Sequence, residues 1–225
     1  MFIHEYSHAL ACWLTGGYVR AIKVFDNEGG VTTYVGGCRC LIIPAGYVGC
    51  SFFAMIFVIL SGGRRTATFC AICFTLSLLI ALCYSPNRTM VYLNLGYALF
   101  MIVFILVEWL WFTPILQFVA LFFGVFCGMI AIASIHSDTI LRAQEGSDSY
   151  ACYAEVCLCC PPRCVGIQWA ILAIFFQMLG IWLALVEMSD ECEDLGWFEC
   201  LNLSIDFDFD FGDNFDFDGF WNNEP

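Results

Sequence analysis

His4 and His8 stand four residues apart, with Glu5 beside the first of them, near the start of a 225-residue chain. On a helix that spacing puts both imidazoles on one face, one turn apart, where together they can bind a single Zn²⁺. Glu5 is then placed to take a proton from a water that the metal polarises. The neighbours Tyr6, Ala9, Leu10, Ala11 and Trp13 are apolar. Two histidines and a carboxylate are expensive to bury in such surroundings without a partner. The pattern therefore predicts a metal site in preference to a helix carrying two unrelated histidines and a capping glutamate.

The elements around this motif are those of a membrane protein. The chain is 61% hydrophobic and 13% charged, with a mean hydropathy of +0.80; a soluble domain carries roughly 25% charged residues. The motif helix, residues 1–14, has a length of about 21 Å against a bilayer core of about 30 Å. It reads as a partial span, or as a helix that continues N-terminally in a longer protein; the methionine directly abutting the motif favours the second reading. Thr15-Gly16-Gly17 stops it. Residues 18–35 alternate β-branched and polar residues around Asp26-Asn27-Glu28-Gly29-Gly30 and predict a β-hairpin. Apolar stretches follow at 41–60, 66–84, 90–107, 114–134 and 166–185, separated by a Trp-rich interfacial turn at 108–113 and a polar stretch at 136–163. The expected architecture is an all-α polytopic membrane protein, with about six apolar helices and a small hairpin after the first.

Charge divides the chain into two parts. Residues 1–187 hold eight basic and nine acidic residues, whereas residues 188–225 hold twelve acidic and no basic ones. The first part is read as the membrane-embedded domain. The second is read as a low-complexity acidic tail, because the close carboxylates of Asp206-Phe207-Asp208-Phe209-Asp210 repel one another in any strand. There is no basic patch to bind nucleic acid. Of fifteen cysteines, Cys12, Cys50, Cys70, Cys73, Cys83 and Cys127 lie in apolar runs and read as small hydrophobes. Cys152, Cys157, Cys159, Cys160 and Cys164 cluster in a polar loop. Acylation or plain thiols rank there ahead of a second metal site.

Counting spans locates a third ligand. Zinc in a hydrolase typically takes three protein ligands. The loop with Asp138 and Asp148 emerges on the side where the motif helix ends, whereas Glu108 emerges on the opposite side. Asp138 and Asp148 are thus the two candidates, with His136 weaker. Either aspartate could instead be a solvated loop residue or a helix cap; Ser147-Asp148 could cap a helix at 149–158. The motif side holds Arg20, Lys23, Arg39, Arg88, Arg142 and Arg163, against Arg64 and Arg65 opposite. This excess predicts that the motif-side loops are cytosolic. The sequon Asn202-Leu203-Ser204 would then face the lumen or exterior, and Asn87-Arg88-Thr89 the cytosol.

The sequence resembles the site-2 protease family of intramembrane zinc metallopeptidases, in its B-like branch. The resemblance rests on His4-Glu5-Tyr6-Ser7-His8-Ala9-Leu10, Thr15-Gly16-Gly17 and Ala45-Gly46-Tyr47-Val48-Gly49. It continues in Asp138-Thr139-Ile140 and Gly146-Ser147-Asp148-Ser149, and covers residues 1–185. It implies cleavage of membrane-protein substrates within the lipid bilayer, zinc held by two histidines and one aspartate, Glu5 as general base, and a substrate strand added to a sheet edge near the hairpin. Better-known relatives place the aspartate in a Leu-Asp-Gly or Asn-Pro-Asp-Gly setting, which this chain lacks. Two rival readings stand beside a protease. One is a catalytically inactive protein of the same fold that binds or regulates membrane partners. The other is a transporter whose intramembrane His and Glu handle metal or protons, although no inverted repeat is visible.

Overall fold

The computed structural model describes residues 1–25, 29–111, 115–141, 147–156 and 159–190. The hairpin turn at 26–28, Arg142, Glu145, Gly146, Cys157 and the Phe/Asp tail with its sequon lie outside them. The chain divides after Glu187 into two units. The second unit falls outside the described residues apart from the end of the last helix.

Helix α1 (Phe2–Leu14) ends where the Thr15 hydroxyl donates to the Ala11 carbonyl and Gly16 turns to a φ of +77°. Strands β1 (Tyr18–Val24) and β2 (Gly30–Val35) follow as an antiparallel hairpin, with Tyr18 opposite Val35 and Val24 opposite Gly30. A bulge between Val19 and Ala21 breaks the alternation. It explains why Val19, Ile22 and Val24, which are not evenly spaced by two, all point into one core. That core joins the hairpin to Ala9 and Cys12 of α1 and to Ile42, Ala81 and Met90 of the following helices.

Among the described residues, five helices are long and apolar enough to cross a membrane. They are α2 (Arg39–Leu60), α3 (Arg64–Cys83), α4 (Arg88–Trp111), α5 (Ile115–Ser134) and, after a short α6 (Asp148–Glu155), α7 (Pro162–Asp190). A π-helical turn, Ile135–Leu141, prolongs α5. Helix α2 packs against both α1 and α5. Its close approach to α5 depends on Gly124, where a Cβ would stand 2.7 Å from Val58 Cγ2 and 2.8 Å from the Val58 nitrogen. Small residues serve this purpose in lipid, where packing and not water drives helices together.

The turns collect at two ends. At one end the α3–α4 turn is tied to the hairpin: Ile22 N–H donates to the Tyr84 carbonyl (2.9 Å) and the Asn87 amide to the Val24 carbonyl (2.9 Å). At the other end Gln117 donates to the Gly62 carbonyl (3.2 Å). Here the expectation of an interfacial turn beginning at residue 108 is corrected. Glu108 lies inside α4 and is fully buried. Its carboxylate accepts from Arg64 Nε (3.2 Å) and from the Leu116 N–H at the start of α5 (2.7 Å). A buried acid that satisfies an amide in the first turn of the next helix gains more by staying helical than by meeting solvent. Glu108→Ala removes the acceptor of a buried N–H. It is expected to cost about 2 kcal/mol, seen as a lower Tm in detergent with the metal content of the folded protein unchanged.

Candidate metal centre

Helix α1 presents His4 and His8 on the face that meets α2, and two glycines make that meeting close. A Cβ on Gly46 would stand 2.4 Å from His8 Nε2 and 2.6 Å from His4 Nε2; a Cβ on Gly49 would stand 2.7 Å from the Ser7 Cβ. His8 Nδ1 lies 2.7 Å from the Ile42 carbonyl of α2. That contact makes Nδ1 the donor and leaves the Nε2 lone pair facing away from the backbone, as metal-binding histidines require. The His4 ring stands edge-on to Tyr47, with centroids 4.5 Å apart.

Asp148 completes the group. Ser147 takes the N-cap position of α6, its hydroxyl accepting from the Tyr150 N–H. Capping is thus done by Ser147, and the Asp148 side chain is left to point at the histidines. Its Oδ2 lies 3.1 Å from His4 Nε2 and 3.2 Å from His8 Nε2, and the two nitrogens are 3.2 Å apart. These three atoms form a nearly equilateral triangle. Ligands about 2.1 Å from a tetrahedral ion are separated by roughly 3.4 Å, so the triangle matches one face of such a site. Two nitrogen lone pairs and a carboxylate oxygen also repel one another unless a cation or a proton lies between them. Burial opposes the charge on Asp148; where a proton rather than a cation lies between them, the hydrogen bonds that His4 and His8 then give outweigh burial and hold the carboxyl below its usual range. Among the described residues this is the one group of His, Cys, Asp and Glu gathered closely enough to hold a metal.

Asp138, the other expected ligand, is not brought to the histidines. The π-helical turn aims it at α2, where Oδ2 accepts from the Tyr47 hydroxyl (3.2 Å) and Oδ1 from Ser137 (2.9 Å). His136 is exposed on the same turn. Glu5 is buried beside the triangle, and its Oε2 accepts from the Thr32 hydroxyl of β2 at 2.6 Å. Beyond it Gly30 is required, since a Cβ there would fall 2.4 Å from Glu5 Oε1. One cleft of about 530 Å³ is lined by His4, Glu5, His8, Thr32, Asp138 and Asp148, with Tyr47 in its wall.

A family model described as Peptidase M50B-like matches residues 1–180. The chain belongs to this family. No curated protein and no solved structure matches it. Membership gives the chain the fold of an intramembrane metallopeptidase, and with its five long apolar helices makes it an integral membrane protein. The matched stretch contains all three residues of the triangle, Glu5, and the hairpin. Sequence reasoning missed Thr32 and the Ile42 carbonyl. Thr32 carries no signal of its own, because only the hairpin's docking on α1 brings it to Glu5. Tyr47 stood within a recognised glycine-rich stretch without being assigned a task.

Proposed function

We propose that the chain is a zinc-dependent endopeptidase that hydrolyses peptide bonds of membrane-spanning proteins. The observation that carries this reading is the His4–His8–Asp148 triangle with buried Glu5 beside it in one cleft. Bound zinc would supply a Lewis acid that activates water for attack. Glu5 takes the proton and returns it to the leaving amine. Thr32 occupies Glu5 Oε2 and so fixes the carboxylate plane, leaving Oε1, which faces Gly30, as the accepting oxygen. Strand β2 borders the cleft through Gly30, Val31, Thr32 and Tyr34, and among the described residues it pairs only with β1. Its open edge suits an extended peptide added as a further strand along the triangle. The excess of arginine and lysine at this end favours a cytosolic mouth.

Thr32→Val keeps the shape of the side chain but removes the donor to Glu5. It is expected to lower the rate of hydrolysis about tenfold, with zinc content unchanged, measured on the same purified preparations. The reading as a whole is tested by reconstituting the chain in vesicles with labelled transmembrane peptides and sequencing the products by mass spectrometry. Cleavage that a zinc chelator stops and added Zn²⁺ restores is the expected result. Stoichiometric zinc with no cleavage of any peptide would favour the non-catalytic relative that binds membrane partners.

A further inference from the structure

The cysteines are not scattered. Among the described residues the exposed ones are Cys38, Cys40, Cys73, Cys83, Cys159 and Cys164. Apart from Cys73, in the middle of α3, all lie at helix ends on the side of the membrane that holds the metal centre. Cys38 and Cys40 flank Arg39 at the start of α2, Cys83 ends α3, and Cys159 and Cys164 bracket the start of α7. At the opposite end, around Ser61–Gly63 and Glu108–Trp111, no cysteine occurs among the described residues. The fold also joins the two sequence-distant groups. Arg39 pairs with Glu155 of α6, and Cys160 packs on the cluster that contains Ile43 of α2 and Val165 of α7.

Cys164 heads a lipid-facing stripe. Ile167, Ile171, Phe175, Met178 and Trp182 are all exposed and follow it at the three- and four-residue spacing of one helix face. A chain attached to the Cys164 sulfur at the membrane surface would run down this stripe into the hydrocarbon. Leu41, directly after Cys40, is likewise exposed and apolar.

We infer that this cysteine-lined edge, with Cys164 as its principal site, is S-acylated by a long-chain fatty acid. The Cys164 thiolate attacks the thioester carbonyl of a long-chain acyl-coenzyme A. The carbon–sulfur bond to coenzyme A breaks, and coenzyme A leaves as the thiol with the proton that the cysteine gave up. One thioester replaces another, and nothing is oxidised or reduced. The inference rests on the cytosolic placement of this end proposed above, because acyl-coenzyme A is a cytosolic donor. Acyl chains here would hold the α6–α7 connection to the bilayer surface, and with it α6, whose first residue is Asp148.

The test expresses the full chain in eukaryotic cells fed an alkyne analogue of palmitate. The expected label is released by neutral hydroxylamine. It should fall at least tenfold when Cys38, Cys40, Cys83, Cys159 and Cys164 are together replaced by Ser, lose one acyl-exchange mass step in Cys164→Ser, and be unchanged in Cys73→Ser. Zinc content of the combined variant reports that the fold survives. Absence of hydroxylamine-sensitive label, or label that persists in the combined variant, overturns the inference. Glycan occupancy separates the causes of failure. A glycan at Asn87 puts this end in the lumen and removes the orientation and the acylation together. A glycan at Asn202 alone, without thioester label, removes the acylation only.

Discussion

Glu5→Gln is expected to abolish peptide hydrolysis while the protein keeps its zinc. The triangle that could hold the ion is made by His4, His8 and Asp148, and Glu5 is not one of its corners. Gln has the same shape, and its side-chain carbonyl can still accept from Thr32 at the position where Glu5 Oε2 lies 2.6 Å away. Packing at this buried position is therefore preserved. What is lost is the ability to take a proton. General-base catalysis contributes about 10²- to 10⁴-fold, so cleavage should fall by at least that factor in a single-turnover assay, with zinc measured on the same sample. Cleavage at the wild-type rate in Glu5→Gln would remove the role given to Glu5.

Gly46→Ala should have an effect of comparable size by another route. The added methyl would sit 2.4 Å from His8 Nε2 and 2.6 Å from two atoms of the His4 ring. Neither ring has room to yield. His8 is tied through Nδ1 to the Ile42 carbonyl on the same helix as the new methyl, and His4 is backed by Tyr47. Alanine is a better helix former than glycine, so α2 itself should not suffer. The expected outcome is a loss of zinc affinity of about a hundredfold, with helical content by circular dichroism unchanged. Gly96→Ala is the matched control, because a Cβ there meets nothing within 4 Å. Equal zinc affinity in Gly46→Ala and wild type would mean that the histidines do not converge beneath Gly46.

These residues also mark what a reader of the sequence could and could not see. The i, i+4 spacing of His4 and His8 and the apolar runs are local patterns, and they translate directly into a helix face and into membrane spans. The hairpin is local too, although its bulge at Val19–Ala21 is not written in the alternation. The selection of Asp148 over Asp138 is different. It depends on Ser147 taking the cap of α6 and on a π-helical turn directing Asp138 to Tyr47, and both are outcomes of packing. Thr32 meets Glu5 only because β2 docks across 27 residues of sequence onto α1. Counting spans separates Glu108 from the histidines, and in the fold it lies beside Arg64 and the start of α5. Its burial inside α4 followed from partners, Arg64 and the Leu116 amide, that no periodicity reveals.

The most direct measurement is the zinc content of the purified full chain in detergent, compared with His4→Ala, Asp148→Ala and Asp138→Ala. The predicted result is about one equivalent in the wild type, as expected for one three-ligand site, lost in His4→Ala and Asp148→Ala and retained in Asp138→Ala. Zinc that survives Asp148→Ala and disappears in Asp138→Ala would contradict the ligand set, and a wild type without zinc would contradict the metallopeptidase reading itself.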